Sequence, residues 1–166
     1  MIRTYSLAAA AALLSTPALA CDGFTVQDPY ARASTAMSTS GAAFMLLVNT
    51  GETDCHITGV RSDVAQRTEL HTHIQEANGV MRMVHVEEGF VVPAGGALAL
   101  QRGAEHVMFM GLSAPFEQGN ILHVVFEFED GSEFPFDVPV DLERMPGQMR
   151  MQMQGHGQMQ GHGQNN

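Results

Sequence analysis

The sequence predicts an all-β protein that folds as an antiparallel β-sandwich, and two features support this prediction. First, residues 24–141 are a series of short runs rich in Val, Phe, Ile and Leu, separated by Gly, Asp, Asn and Pro. This alternation is typical of strands and turns. Second, the connections are short, such as NTGETD at 49–54, PAGG at 93–96 and EDGSE at 129–133. Connections of this length favour antiparallel hairpins over crossover helices.

The predicted strands are runs rich in Val, Phe, Ile and Leu, bounded by residues typical of turns. In chain order the strands are FTVQDPYARA (24–33), AAFMLLVN (42–49), CHITGVR (55–61), TELHTH (68–73), GVMRMVHV (79–86), ALALQ (97–101), EHVMFMGL (105–112), NILHVVFEFED (120–130) and EFPFDVPVD (133–141). The one place where a helical turn is expected is SDVAQ at 62–66.

The first twenty residues, MIRTYSLAAAAALLSTPALA, have the features of a secretory signal peptide. They contain Arg3, a short apolar run and the ending Ala18-Leu19-Ala20, so we expect cleavage after Ala20 and export to the periplasm. The apolar run is well short of the ~20 residues of a membrane-spanning helix, and no membrane insertion is expected. Lipid attachment at Cys21 is an alternative, although the Leu expected three residues before the Cys is here one place late.

Charge and cysteine content narrow the possible partners. The formal net charge is −10, becomes −11 without Arg3, and no Lys is present, which argues against nucleic acid and anionic lipid. Cys21 and Cys55 are the two cysteines. Because exported thiols oxidise, we expect a disulfide, which would stabilise the fold by roughly 4 kcal/mol in the chain-entropy model. The alternative is a pair of thiolate metal ligands.

After Glu143 the composition changes to RMPGQMRMQMQGHGQMQGHGQNN, in which QMQGHG occurs twice in tandem. This segment has almost no aliphatic or aromatic residues other than Met and cannot bury a core. The sequence therefore predicts a domain at 21–144 and a flexible Met/His-rich tail at 145–166.

Three predicted strands each carry His and Met on one face. In an extended strand successive side chains point to opposite faces, so EHVMFMGL places Val107 and Phe109 on a core-like side and a His and two thioethers on the other. The same alternation recurs in TELHTH and GVMRMVHV. The residues that share these faces are His71 and His73; Met81, Met83 and His85; and His106, Met108 and Met110.

Imidazole and thioether together indicate a copper site. They are the ligands that soft Cu(I) prefers when thiolate is absent, whereas Ca²⁺ and Mg²⁺ require oxygen and zinc rarely recruits Met. Any one stripe alone would be assigned to packing or to the surface, but three stripes in one exported domain favour a metal. Four residues lie outside the stripes and are assigned to packing or to the surface: His56, His123, Met37 and Met45.

Five segments resemble the periplasmic copper chaperones of the PCu(A)C type: VQDPYARAS, SGAAFMLLVNTGE, ITGVRSDVAQRTELHTH, GVMRMVHVEEGFVVPAGG and EHVMFMGL. The family's copper pattern is a His, about ten residues, a Met, about twenty-one residues, then His-x-Met. Here it falls on His71, Met83, His106 and Met108. Each spacer is one residue longer than the pattern, so Met81 remains a rival for Met83 and His73 for His71.

The resemblance implies a cupredoxin-like (Ig-like) β-sandwich that binds one Cu(I) through two His and two Met and has no catalysis of its own. It also implies delivery of copper to the CuA centre of cytochrome c oxidase. The partner would be the oxidase subunit that carries CuA, reached directly or through a thiol-containing copper-assembly protein.

The tail would add a second copper region. Its candidate ligands are His156 and His162, which with nearby Gly amides suit Cu(II), and Met149, Met151, Met153 and Met159, which suit Cu(I). The alternative is an inert low-complexity tail.

Three other functions compete with that of a chaperone. A copper-sequestering resistance protein would use the same ligands and differ in having no dedicated recipient. A blue-copper electron carrier needs a Cys thiolate beside two His, and the strands around His106 contain no Cys. A hydrolase is disfavoured because no Ser or Cys nucleophile with a paired base is visible.

Overall fold

The computed structural model describes residues 21–145. The predicted signal peptide and residues 146–166 of the tail lie outside the described residues. The strands are β1 (Phe24–Ala33), β2 (Ser40–Asn49), β3 (Cys55–Arg61), β4 (Ala65–Gln75), β5 (Met81–His85), β6 (Phe90–Val92), β7 (Ala97–Leu100), β8 (His106–Leu112), β9 (Ile121–Phe128) and β10 (Glu133–Pro139).

The strands form two antiparallel sheets, which confirms the predicted all-β sandwich. Sheet A has the order β1-β2-β8-β4-β5, with β7 also paired to β2, and sheet B has the order β10-β9-β3-β6. The strands β4, β5 and β8, which carry the His and Met stripes, are therefore neighbours in sheet A, and β5 lies at its edge. Within residues 21–145 no helix is long and apolar enough to cross a membrane.

The core lies between the sheets, and most strands contribute alternate side chains to it. Val107 and Phe109 of β8 are fully buried, together with Leu47 from sheet A and Ile57 and Phe126 from sheet B. Burying apolar surface contributes about 25 cal/mol per Å² and is the main stabilising contribution. Because Val107 and Phe109 face this core, the opposite parity of β8 lies on the outer face of sheet A.

Cys21 and Cys55 form a disulfide that ties the start of the domain to β3, as the sequence predicted. A sulfur atom in a disulfide supplies neither a thiolate ligand nor a thioether-linked lipid. The disulfide and lipidation of Cys21 are therefore mutually exclusive.

The prediction of a helical turn at 62–66 was wrong, and one strand was not predicted. Asp63 and Val64 form a turn, and β4 begins at Ala65, which pairs with Leu112 of β8; strand pairing has overridden local helical preference there. The missed strand is β6. It has three residues, too few to show a two-residue period, and it forms by pairing with β3.

After β10 the chain does not end on sheet B. Residues 140–144, which we name the strap, cross to the edge of sheet A. Val140 forms a parallel bridge with Ala31 of β1, and the Asp141 amide donates to the Ala31 carbonyl at 2.9 Å.

Candidate metal centre

The three His and Met stripes form one continuous surface on the outer face of sheet A. His71 of β4 lies opposite His85 of β5 on one side and opposite His106 of β8 on the other. His73 is paired with Met83 in the same register. The sequence could assign each stripe to a face of its own strand, and the strand order is what brings the stripes together.

A row of rings crosses this face at the level of His71. The ring centroids are 5.3 Å apart for Tyr30 and Phe44, 6.1 Å for Phe44 and His106, 5.9 Å for His106 and His71, and 5.8 Å for His71 and His85. Phe44 is buried and packs against His106. This row keeps His106 away from solvent, with 2% of its surface exposed.

His106 has one ring nitrogen fixed and the other unpaired. Its Nδ1 lies 2.9 Å from the Ala104 carbonyl oxygen, and because a carbonyl only accepts, Nδ1 carries the proton. Nε2 is then a lone-pair nitrogen, and it is buried with no hydrogen-bond partner. Burial lowers the pKa of His106 through desolvation. The imidazole is therefore kept neutral, which is the form that binds metals.

His71 shows the same arrangement with the nitrogens exchanged. Its Nε2–H donates to Glu69 Oε2 at 2.9 Å, and Nδ1 is buried without a partner. The hydrogen bond from His71 lowers the pKa of Glu69, so the acceptor is a carboxylate. A carboxylate behind an imidazole fixes its tautomer and raises its basicity as a ligand. Sequence reasoning missed Glu69, although its same-face position two residues before His71 was a usable signal.

Two thioethers lie beside these imidazoles. Met83 and Met108 line one cleft on the outer face, together with Phe44 and Arg102. Met108 is half-buried and lies opposite Glu69, whereas Met83 on the edge strand is 41% exposed. The structure thus brings the four residues of the copper pattern to one region.

The rival thioethers lie elsewhere. Met81 pairs with Gln75 towards the end of the β4–β5 hairpin and is exposed. Met110 lies opposite Arg67, whose Nη2 is 3.5 Å from the Met110 sulfur. A cationic donor already occupies that sulfur's surroundings, which disfavours it as a ligand for a cation.

The rival histidines flank the buried pair. The His73 ring is 5.2 Å from that of His106, and its Nδ1 is 3.4 Å from the Ala104 carbonyl. His85 is exposed at the other end of the row. Within residues 21–145 no group of three or more His, Cys, Asp or Glu is placed to hold a metal ion. A site of two imidazoles and two thioethers is not such a group.

The His and Met residues that the sequence analysis did not assign to the metal site lie away from it. His56 and His123 lie in sheet B, where His56 contacts the Glu88 carbonyl and Glu129, and His123 contacts Asp137 at 2.6 Å. Met45 is buried in the core, and Met37 is exposed. The candidate tail ligands lie outside the described residues.

Comparison with known proteins identifies the family. Residues 24–140 match the model of the LpqE-like putative lipoproteins. The chain belongs to the LpqE-like family. A putative lipoprotein of Leifsonia xyli subsp. xyli is 38% identical over 125 residues, which cover 75% of this chain and 74% of that protein.

Solved structures confirm the predicted PCuAC resemblance. The copper-bound PCuAC domain from PmoF2 aligns with a TM-score of 0.58 at 19% identity, covering 72% of this chain and 93% of that domain. Apo-DR1885 from Deinococcus radiodurans aligns with a TM-score of 0.57 at 27% identity, covering 85% and 93%. Its Cu(I) form gives 0.56 at 26%, covering 78% and 87%. This LpqE-like protein therefore has the fold of the PCuAC domains.

Proposed function

We propose that this protein is an extracytoplasmic copper chaperone that binds one Cu(I) as cargo through His71, Met83, His106 and Met108. The observation that carries the proposal is the pair of buried imidazoles. Each has one nitrogen fixed by a hydrogen bond and the other buried and unpaired. An unsatisfied buried nitrogen costs about 1–3 kcal/mol, and a metal ion that accepted both lone pairs would remove that cost.

The donor set favours Cu(I) over harder cations. Two neutral imidazoles and two thioethers bring no charge and no oxygen, which suits a soft monovalent ion. The copper-bound states named for the PmoF2 domain and for DR1885 support copper as the cargo. The proposed activity is binding and handover rather than catalysis.

The two kinds of ligand differ in accessibility, which suggests how cargo leaves. His106 is buried, whereas Met83 lies exposed on the edge strand β5. An incoming thiolate can displace an exposed thioether first, while the imidazoles still hold the ion. The recipient that we propose is the CuA-bearing subunit of cytochrome c oxidase, reached directly or through a thiol-containing assembly protein. The tail is proposed as a second copper region because of its repeated QMQGHG.

The binding test compares two methionines on the same face of β8. Met108→Leu removes a proposed ligand, and Met110→Leu removes a sulfur that lies beside Arg67. Cu(I) affinity is measured anaerobically by competition with a chromophoric chelator. We expect Met108→Leu to weaken Cu(I) at least tenfold, about 1.4 kcal/mol, and to change Zn(II) binding little. Equal affinities of the two variants would refute the assignment.

The handover test separates a chaperone from a copper-sequestering protein. Copper-loaded protein is mixed anaerobically with a purified apo CuA domain, and a size-matched protein without a copper site serves as the control. We expect the CuA domain to acquire copper faster from this protein than from free Cu(I) in the same chelator buffer. No transfer, with Cu(I) binding intact, would favour sequestration.

A blue-copper electron carrier is not supported. Such a site requires a thiolate ligand, and the two cysteines of the chain are joined to each other.

A further inference from the structure

The cleft lined by Met83 and Met108, which we name the copper cleft, also contains two positively charged side chains. They are Arg32 of β1 and Arg102 of the turn between β7 and β8, and the cleft has a volume of about 470 Å³. Both arginines are half-buried. The four proposed Cu(I) ligands are neutral, and a guanidinium has no lone pair to offer a metal. The two arginines therefore require another role.

Arg32 and Arg102 differ from the other arginines because neither forms an ion pair within residues 21–145. The other four arginines of this range each pair with a carboxylate: Arg61 with Glu127 and Glu133, Arg67 with Glu69, Arg82 with Glu76 and Arg144 with Asp28. The chain has 18 Asp and Glu against 8 Arg. Because carboxylates are in excess, two arginines without one are unexpected, and the pair is available to an anion from outside the chain.

The strap holds the two guanidinium groups close together. Nη1 of Arg32 donates to the Arg144 carbonyl at 3.0 Å, and Nη2 of Arg102 donates to the same oxygen at 3.4 Å. The Arg144 guanidinium pairs with the Asp28 carboxylate and lies 4.1 Å from the centre of the Tyr30 ring, which fixes the position of that carbonyl. A carbonyl oxygen carries only a partial negative charge. Two like charges thus converge without a counter-charge, and an anion beside them would be stabilised.

These positive charges lie beside the proposed metal site. The Arg102 guanidinium is 5.9 Å from the centre of the Phe44 ring, and that ring packs against His106 at a centroid distance of 6.1 Å. Cu(I) held by neutral ligands adds a third positive charge to the same region. An anionic ligand that enters the cleft would offset this repulsion, whereas a neutral ligand would not.

We propose that Arg32 and Arg102 form an anion subsite that receives the thiolate of the exchange partner, so that Cu(I) passes from Met83 to this thiolate inside the cleft. The inference rests on the proposed Cu(I) site and assigns the chemistry of the partner. In the exchange, a bond from the thiolate sulfur to copper forms and the bond from the Met83 sulfur breaks, while copper remains Cu(I). The thiol proton has already passed to solvent, because the thiolate is the form that binds metals.

The experiment compares two copper acceptors that differ in charge. 2-Mercaptoethanol reacts as a thiolate, and tris(hydroxymethyl)phosphine is a neutral ligand for Cu(I). Full-length protein with ¹³C-methyl methionine and one equivalent of Cu(I) is mixed anaerobically with an excess of each acceptor. The return of the Met83 and Met108 methyl signals to their apo positions gives the rate of release.

Two double variants separate charge from structure. Arg32→Gln with Arg102→Gln should slow release to the thiolate about tenfold, because fixed charges change association rates by roughly ten- to thousandfold, and should leave release to the phosphine unchanged. Arg32→Lys with Arg102→Lys keeps both charges and should restore most of the thiolate rate. Arg61→Gln, which removes a charge from an ion pair on sheet B, is the control and should leave both rates unchanged.

The apo protein allows a test that needs no variant. Thiosulfate, an anion with a terminal sulfur, is added at constant ionic strength. We expect it to shift the Nε–H NMR signals of Arg32 and Arg102 until they saturate, and to leave the signal of Arg61 unchanged. Signals of Arg32 and Arg102 that do not move, or that move without saturating, would overturn the subsite.

The outcomes separate this inference from the proposed function. If the Met83 and Met108 methyls do not respond to Cu(I), the proposed function fails and the inference fails with it. If they respond, but the Gln variant keeps the parent rate with the thiolate or is slowed equally with both acceptors, the two arginines have a structural role and only the inference fails. An amide spectrum that matches the parent protein shows that each variant is folded.

Discussion

Glu69 is expected to control Cu(I) affinity without touching the metal, and Glu69→Gln tests this. In the parent protein the Glu69 carboxylate only accepts, so it holds the proton of His71 on Nε2 and leaves Nδ1 free. A Gln at this position has both an acceptor oxygen and a donor NH₂. The NH₂ group can pair with unprotonated Nε2, and that tautomer places the proton on Nδ1, where it blocks metal binding.

The size of the effect follows from the hydrogen bond that is weakened. Bonds to charged groups contribute about 1.5–3 kcal/mol, roughly twice the neutral value, so a neutral amide forfeits about 1 kcal/mol of tautomer control. The Glu69 side chain is 21% exposed, which leaves little solvent screening. With the competing donor added, we expect Cu(I) affinity to fall about tenfold, at the lower end of the ten- to hundredfold range for residues that orient metal ligands.

Two measurements check this prediction. Chelator competition gives the Cu(I) affinity, and long-range ¹H–¹⁵N NMR of the apo protein reports the His71 tautomer. We expect Nε2–H in the parent protein and a mixture in Glu69→Gln. Glu133→Gln removes a carboxylate from an exposed ion pair on sheet B and is the control. Unchanged affinity together with an altered tautomer would refute the role of His71 Nδ1 as a ligand.

Three further predictions follow from other groups. The exported protein should have an intact mass lower by two hydrogens than its reduced form, because Cys21 and Cys55 are joined; a lipid adduct on Cys21 would contradict this. The pKa of His56 is raised, chiefly by its hydrogen bond to a backbone carbonyl, so its contribution to stability is complete below the unfolded pKa and lost as pH rises through the folded pKa. His56→Gln should therefore lower the melting temperature more at about pH 5.5 than at about pH 8.5, and the loss in the free energy of unfolding should be less than about 1 kcal/mol. Equal effects at the two pH values would contradict this prediction. Acidification from about pH 7.5 to about pH 5 should release Cu(II) from the tail before Cu(I) from the domain. Protons compete for imidazole and not for thioether, and the pKa of His106 is lowered. Copper content is measured against pH for each oxidation state, and simultaneous loss of the two would contradict the prediction.

The sequence predicted the fold and the faces of the strands because both depend on local periodicity. The alternation of Val107 and Phe109 with His106 and Met108 is visible without a structure, and the core confirms it. Strand order depends on contacts between distant segments, so the adjacency of β4, β5 and β8 was not available from the residues alone.

Residues that support the site were harder to predict than its candidate ligands. Glu69 and Arg144 are charged residues in positions that resemble ordinary surface positions. Glu69 is distinguished by its hydrogen bond to His71, and Arg144 by its ion pair with Asp28, which is 116 residues away in the sequence. Both contacts form only in the folded chain. Met81 and Met83 are two residues apart on the same face of β5, so the sequence pattern does not separate them. Met83 lines a cleft with Met108, which favours Met83 as the ligand.

The candidate site and the core lie on opposite faces of the same strands. Packing of the core therefore also determines the register of the residues in the candidate site. A slip of β8 by one residue would turn His106 and Met108 inward and Val107 and Phe109 out to solvent. Exposing two such side chains costs about 1.5–3 kcal/mol each. The hydrophobic effect thus disfavours misaligned chains whether or not a metal is present, and it keeps the imidazoles and thioethers in register without one.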